Sequence, residues 1–181
     1  MRSGGMSGDT SPGDRLAALR HAFDSAFALP PPPRDDDLVD LLAVTADADA
    51  LAVPLTAMAG LVADRAVTPL PGSPADLIGV AGLRGHLVPV YDLARILGSG
   101  RTRGPERTVR WMVLAAGSPT FAVAVDRVDG HLRVPRDAIA EPIDGRGPGG
   151  AVVHTGAGAR PVVDLAAVRH RVTARTAVEE S

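Results

Sequence analysis

At 181 residues, 45% of them hydrophobic and 22% charged, the chain is long enough for one packed domain with an appendage. A formal net charge of −2 with both signs interspersed offers no basic patch for a nucleic acid, and the absence of cysteine excludes disulfides, thiolate metal sites and a cysteine nucleophile. All nineteen basic residues are arginine and only 3% of the chain is aromatic, so the core must be built from Val, Leu, Ile and Ala.

No run approaches eighteen apolar residues, and Asp9 and Asp14 stand where an export signal would need an apolar stretch. A cytoplasmic protein without membrane insertion is the expectation. Residues 1–13 are rich in Gly, Ser, Thr and Pro and predict disorder. A helix should follow. Ser11 and Asp14 make a capping-box-like pair around Pro12, and Leu16, Leu19, Phe23 and Phe27 form one apolar stripe. The helix must stop before Pro30 to Pro33, which favour a polyproline II spacer of roughly 12 Å. This helix either docks into a groove on a partner or folds back on its own domain, and the residues leave both readings open.

From Leu38 the pattern changes to strands. An apolar run over Leu38–Val44, a polar turn over Ala46–Ala50 and a second run over Leu51–Leu55 predict a hairpin. Thr56 to Ala63 reads equally as a helical turn or a third strand. In Gly79–Gly98, Gly82 and Gly85 flank Leu83-Arg84 at a tight turn, a strand with Pro89 suited to an edge or a bulge follows, and Asp92 caps a short helix ending at Gly98. Residues 99–107 predict a charged loop. A strand through Trp111 and Val113 should turn at Gly117-Ser118-Pro119 and pair with one longer strand over Thr120–Val128. Short segments at Leu132–Val134 and from Ile139, a glycine loop over Gly145–Gly150, a hairpin over Ala151–Leu165 and a helix through Val168 and Val172 complete the chain, with the end loose from Thr173. Eight or more short strands separated by turns imply barrels or a sandwich.

Gly79, Leu83, Arg84, Gly85, Pro89, Val90, Asp92 and Leu93 resemble, position by position, the G-V-x-N-L-R-G turn and x-x-x-P-V-x-D-L strand of the CheW-like domains of bacterial chemosensory systems. Val67-Thr68-Pro69-Leu70-Pro71, Val125-Asp126-Arg127-Val128 and Val162-Val163-Asp164-Leu165 resemble three further segments of that family in the right order. The resemblance implies a mainly β fold of two five-stranded SH3-like barrels packed around a hydrophobic seam. It places the domain at residues 38–175, after an extension over 1–37. It also implies a non-enzymatic adaptor that couples chemoreceptor tips to the regulatory domain of a CheA-type histidine kinase through barrel-to-barrel contacts, within membrane-associated arrays. Nothing resembles the receiver segment of CheV-type fusions.

Arg84 is the residue expected to give polar specificity to such a contact, its alternative being an internal salt bridge that holds the turn. Gly82 stands where the family usually has Asn, and Gly60 falls where many members carry Glu. Both positions lose a polar handle, which leaves Met58, Leu61, Val62 and Leu83 as a more apolar surface and weakens the carry-over of receptor binding more than that of kinase binding.

The residues offer little chemistry. His21, His86, His131, His154 and His170 show no metal-ligand spacing, no nucleophile elbow or dinucleotide fingerprint is present, and the Gly145–Gly150 loop lacks the Lys-Ser/Thr ending of a phosphate loop. No cofactor is expected. Asp92, Asp126 and Asp164 each end an apolar strand, where capping or pairing with an arginine explains them better than a catalytic cluster. A second reading is a β-barrel module outside chemotaxis that binds a peptide along a strand edge.

Overall fold

A computed structural model describes residues 37–99, 109–141, 149–156 and 158–179. The helix expected through Leu16, Leu19, Phe23 and Phe27, the proline spacer and most of the two loops near residues 100 and 145 lie outside the described residues.

Eleven strands make two sheets among the described residues. They are β1 (Leu38–Ala46), β2 (Asp49–Pro54), β3 (Met58–Ala63), β4 (Leu77–Leu83), β5 (His86–Asp92), β6 (Trp111–Ala115), β7 (Ala122–Val125), β8 (Arg127–Pro135), β9 (Ile139–Ala140), β10 (Gly149–Thr155) and β11 (Gly158–Val163). Two helices accompany them, α1 (Leu93–Leu97) and α2 (Leu165–Glu179). The first sheet runs β8-β1-β2-β11-β10-β9 and the second β3-β6-β7-β5-β4. The chain therefore leaves the first sheet after β2, builds the whole second sheet, and returns at β8. Each sheet contains one parallel pairing, β11 with β2 and β5 with β7, and is otherwise antiparallel. The sixth strand of the first sheet, β9, is only two residues long, so the expected pair of five-stranded barrels holds in its essentials.

Side-chain alternation explains why both faces of the central strands are apolar. On β7, Ala122 and Ala124 point into the second barrel with Val88, Val90 and Met112, while Val123 and Val125 point the other way into a cluster shared by both sheets. On β2, Ala52 joins Leu41, Val153 and Val162 inside the first barrel, and Leu51 and Val53 enter the shared cluster. A strand buried on both faces reads as a continuous apolar run, not an alternating one. Phe121, 2% exposed, is the bulkiest member of the shared cluster, and its truncation to alanine should cost about 3–5 kcal/mol. The helices close the same seam. Leu165, Val168 and Val172 of α2 and Leu93, Ala94 and Ile96 of α1 all enter it.

Two expectations are corrected and one open reading is resolved. Thr120–Val128 is not one strand: Asp126 interrupts it, accepting from the Asp47 N–H at 2.6 Å and donating its own N–H to the Thr45 carbonyl at 2.9 Å. The chain thereby crosses between sheets, and Val128 joins Leu132 and Val134 in β8, which pairs with β1. The ambiguous Thr56–Ala63 stretch divides into a 3-10 turn over Leu55–Ala57 and strand β3. The stretch from Thr173, expected to be loose, is helical: α2 continues to Glu179, and the Thr173 hydroxyl donates to the Arg169 carbonyl at 2.9 Å.

Candidate functional site

The β4–β5 hairpin carries the residues of interest. Leu83 pairs with His86, so the loop between them is Arg84-Gly85, both at positive φ, 49° and 82°. A two-residue loop with two left-handed positions is the type I′ hairpin turn, whose twist matches that of the strands it joins. Glycine reaches that region without steric cost, but arginine does not, and holding a non-glycine residue there costs on the order of 1 kcal/mol. The turn is thus one residue later than the sequence implied, and Gly82 lies on β4 without a positive φ.

Pairing on the hairpin sets what each face shows. Val80 and Thr68 exchange both backbone hydrogen bonds, at 2.8 and 2.9 Å, so Val80 turns its polar groups away from β5. Pro89 opposes Val80 in that non-hydrogen-bonded position, and pairing of β5 with β7 begins only at Val90. Pro89 thus lies on a strand between β7 and β4 and not at the expected edge or bulge, yet its missing N–H costs no ladder bond there. Gly82 opposes Leu87, no atom lies within 4 Å of where a Gly82 Cβ would stand, and Leu87 is 76% exposed. Close approach explains a different glycine. At Gly79, with φ 152°, a Cβ would lie 2.1 Å from the Thr68 carbonyl oxygen.

Arg84 is exposed and has neither an ion pair nor a hydrogen bond among the described residues, so the internal salt bridge weighed as its alternative has no partner there. The other residues read from sequence separate. Met58 packs against the shared cluster, Val62 and Leu83 against the second barrel's interior, and all three are half-buried. Leu61 is 38% exposed on β3, and Gly60 has room for a side chain, the nearest atom to a Cβ being Leu114 Cδ1 at 3.8 Å. Leu87 is the residue that sequence reasoning missed. Its signal was the sequence Gly82-Leu83-Arg84-Gly85-His86-Leu87, in which a turn at Arg84-Gly85 fixes Gly82 as the partner of Leu87.

The three strand-end aspartates do separate structural work. Asp92 accepts from the Arg95 N–H at 3.4 Å as the N-cap of α1. Asp164 Oδ1 accepts from the Ala166 and Ala167 N–H groups at 2.8 and 3.1 Å at the start of α2. Asp126 holds the Asp47 turn. His131 pairs with Asp40 at 2.8 Å, and among the described residues no group of three or more His, Asp or Glu is placed to hold a metal ion. No helix of the described residues is long and apolar enough to cross a membrane.

Known proteins are similar to this chain in sequence and in fold. Residues 40–171 match the model of the CheW-like domain. Over 80 residues the chain is 41% identical to Protein FrzA of Myxococcus xanthus, a stretch that is 44% of this chain and 49% of FrzA, so it spans about half the length of that relative. The crystal structure of scaffolding protein TtCheW from Thermoanaerobacter tengcongensis superposes with a TM-score of 0.62 over 70% of this chain and 88% of that one. Its 18% identity makes it a likeness of fold.

Proposed function

The chain belongs to the CheW-like domain family, and from that premise we propose that it is a non-enzymatic scaffold of a bacterial chemosensory system, joining a CheA-type histidine kinase to chemoreceptor tips. Residues 38–175 act as the coupling domain and 1–37 as an appended segment whose stripe of Leu16, Leu19, Phe23 and Phe27 serves a second contact. It works in the cytoplasm, at receptor arrays, without a cofactor.

The observation that carries this reading is the tip of the β4–β5 hairpin. Arg84 sits at φ 49° with no partner among the described residues, and Leu87 stands 76% exposed on the strand that follows. This tip combines a strained backbone position, a guanidinium without a partner among the described residues and a largely exposed leucine. It suits a surface where an apolar anchor is buried and a charged group fixes register. Gly82 and Leu83 belong to the same hairpin, whereas Met58, Gly60, Leu61 and Val62 lie on β3 at the other edge of that sheet.

Capture of the purified regulatory domain of the kinase, and of receptor signalling tips, tests the proposal. Arg84→Ala should keep the melting temperature and lose capture. A large fall in melting temperature with capture intact would make Arg84 structural. Capture of unrelated extended peptides alone would favour a general peptide-binding module.

A further inference from the structure

The described residues present four sheet edges, and three are defended against pairing with another chain. β8 carries Arg127, His131 and Arg133, with side chains 70%, 53% and 50% exposed, a bulge in its pairing with β1, and Pro135 at its end. β4 is met on its outer side by Thr68, which Pro69 follows. β9 is two residues long. Charges, bulges, proline and shortness are the usual means of blunting an edge.

β3 has none of the charges or prolines. Met58-Ala59-Gly60-Leu61-Val62-Ala63 is neutral throughout, with Ala59, Leu61 and Ala63 exposed and Met58, Gly60 and Val62 half-buried. A bulge at Met58–Gly60 leaves the regular edge at Gly60–Ala63. The Asp64 N–H donates to the Arg110 carbonyl of the strand alongside, at 2.8 Å. Backbone polarity alternates along an antiparallel strand. Val62 and Gly60 therefore also face β6, and Leu61 and Ala63 turn their N–H and C=O groups outward, where no described strand lies.

We propose that this edge pairs with β3 of a second copy of the chain, antiparallel about a two-fold axis through Leu61. In that register Leu61 exchanges both hydrogen bonds with its own counterpart, and Gly60 faces the second copy's Val62. Exposed residues then meet exposed residues, and half-buried ones meet half-buried ones. A slip of one residue would set Leu61 against Val62 and mix the faces. On the axis the residue at 61 meets its own copy, so a charge there would repel itself while a leucine does not. The paired segment is short, so the dimer is weak, with a dissociation constant on the order of 100 µM.

Sedimentation equilibrium of the full chain alone, from about 5 to about 500 µM, tests this without any signalling partner. The average mass should rise toward twice that of the chain. Leu61→Lys and Leu61→Glu should each stay monomeric over that range with unchanged circular dichroism, and their equimolar mixture should recover the dimer. Ala63→Pro removes an outward N–H without adding charge and should weaken the dimer at least tenfold. Leu87→Glu, which leaves β3 intact, should dimerise like the parent. A parent protein that stays monomeric throughout, a dimer that survives both Leu61 variants, a mixture that fails to recover it, or a dimer lost in Leu87→Glu would each overturn the proposal.

Discussion

Leu87, 76% exposed, stands directly across the β4–β5 hairpin from Gly82, a position that offers it no side chain. Cross-strand neighbours normally shade one another on a sheet face. A bare leucine three residues past an arginine that is unpaired among the described residues, on a type I′ turn, gives the hairpin an apolar knob and a charge within one short segment.

Gly82 and Gly60 need not be glycine for the fold. Neither has a positive φ, and a Cβ at Gly82 would meet nothing within 4 Å while one at Gly60 would meet a leucine methyl at ordinary contact distance, 3.8 Å. Gly82→Asn and Gly60→Glu, which supply the side chains that the family resemblance implies there, should shift the melting temperature by less than about 2 °C. Measured by receptor-tip capture, the double variant should bind more strongly than the parent.

Gly79 is the opposite case. With a Cβ placed 2.1 Å from the Thr68 carbonyl oxygen and 2.9 Å from Pro69 Cα, Gly79→Ala must push the 64–70 segment off β4. Overpacking against backbone costs more than about 2 kcal/mol, which for a domain of this size lowers the melting temperature by about 5 °C or more in a calorimetric scan.

Much of this was legible in the residues. The ordered motifs pointed to paired barrels, and Asp92 and Asp164 sit at their caps as the spacing implied. What was not legible depended on distant partners. The apolar run from Thr120 to Val128 hides its break, because the crossing at Asp126 is made by Thr45 and the Asp47 N–H, some eighty residues away. The stretch at Met58–Ala63 declares itself a strand only through its pairing with β6, and the exposure of Leu87 follows from a turn register that periodicity does not resolve.

Asp129 links stability to pH. Burial acts to raise its pKa, but hydrogen bonds from Arg127, Arg160 and Thr45, with the charge of Arg127, outweigh that and hold the carboxyl below its ordinary 3.8. A depressed folded-state pKa adds stability that is complete above the unfolded value and is lost as pH falls through the folded one. Asp129→Asn should therefore melt below the parent at pH 7, and the two should converge as the pH drops below about 4. The same substitution loosens β11, since Arg160 spans Asp129 at 2.9 Å and the Val44 and Leu51 carbonyls at 3.3 and 3.4 Å.

Isothermal titration of the regulatory domain of a CheA-type kinase into the parent protein, Arg84→Ala and Leu87→Glu, with melting curves of all three, addresses the scaffold reading most directly. The account predicts saturable binding by the parent, at least a tenfold loss in each variant, equivalent to about 1.4 kcal/mol, and three melting temperatures that agree within about 2 °C. Undiminished binding by both variants, or no binding by the folded parent, would contradict it.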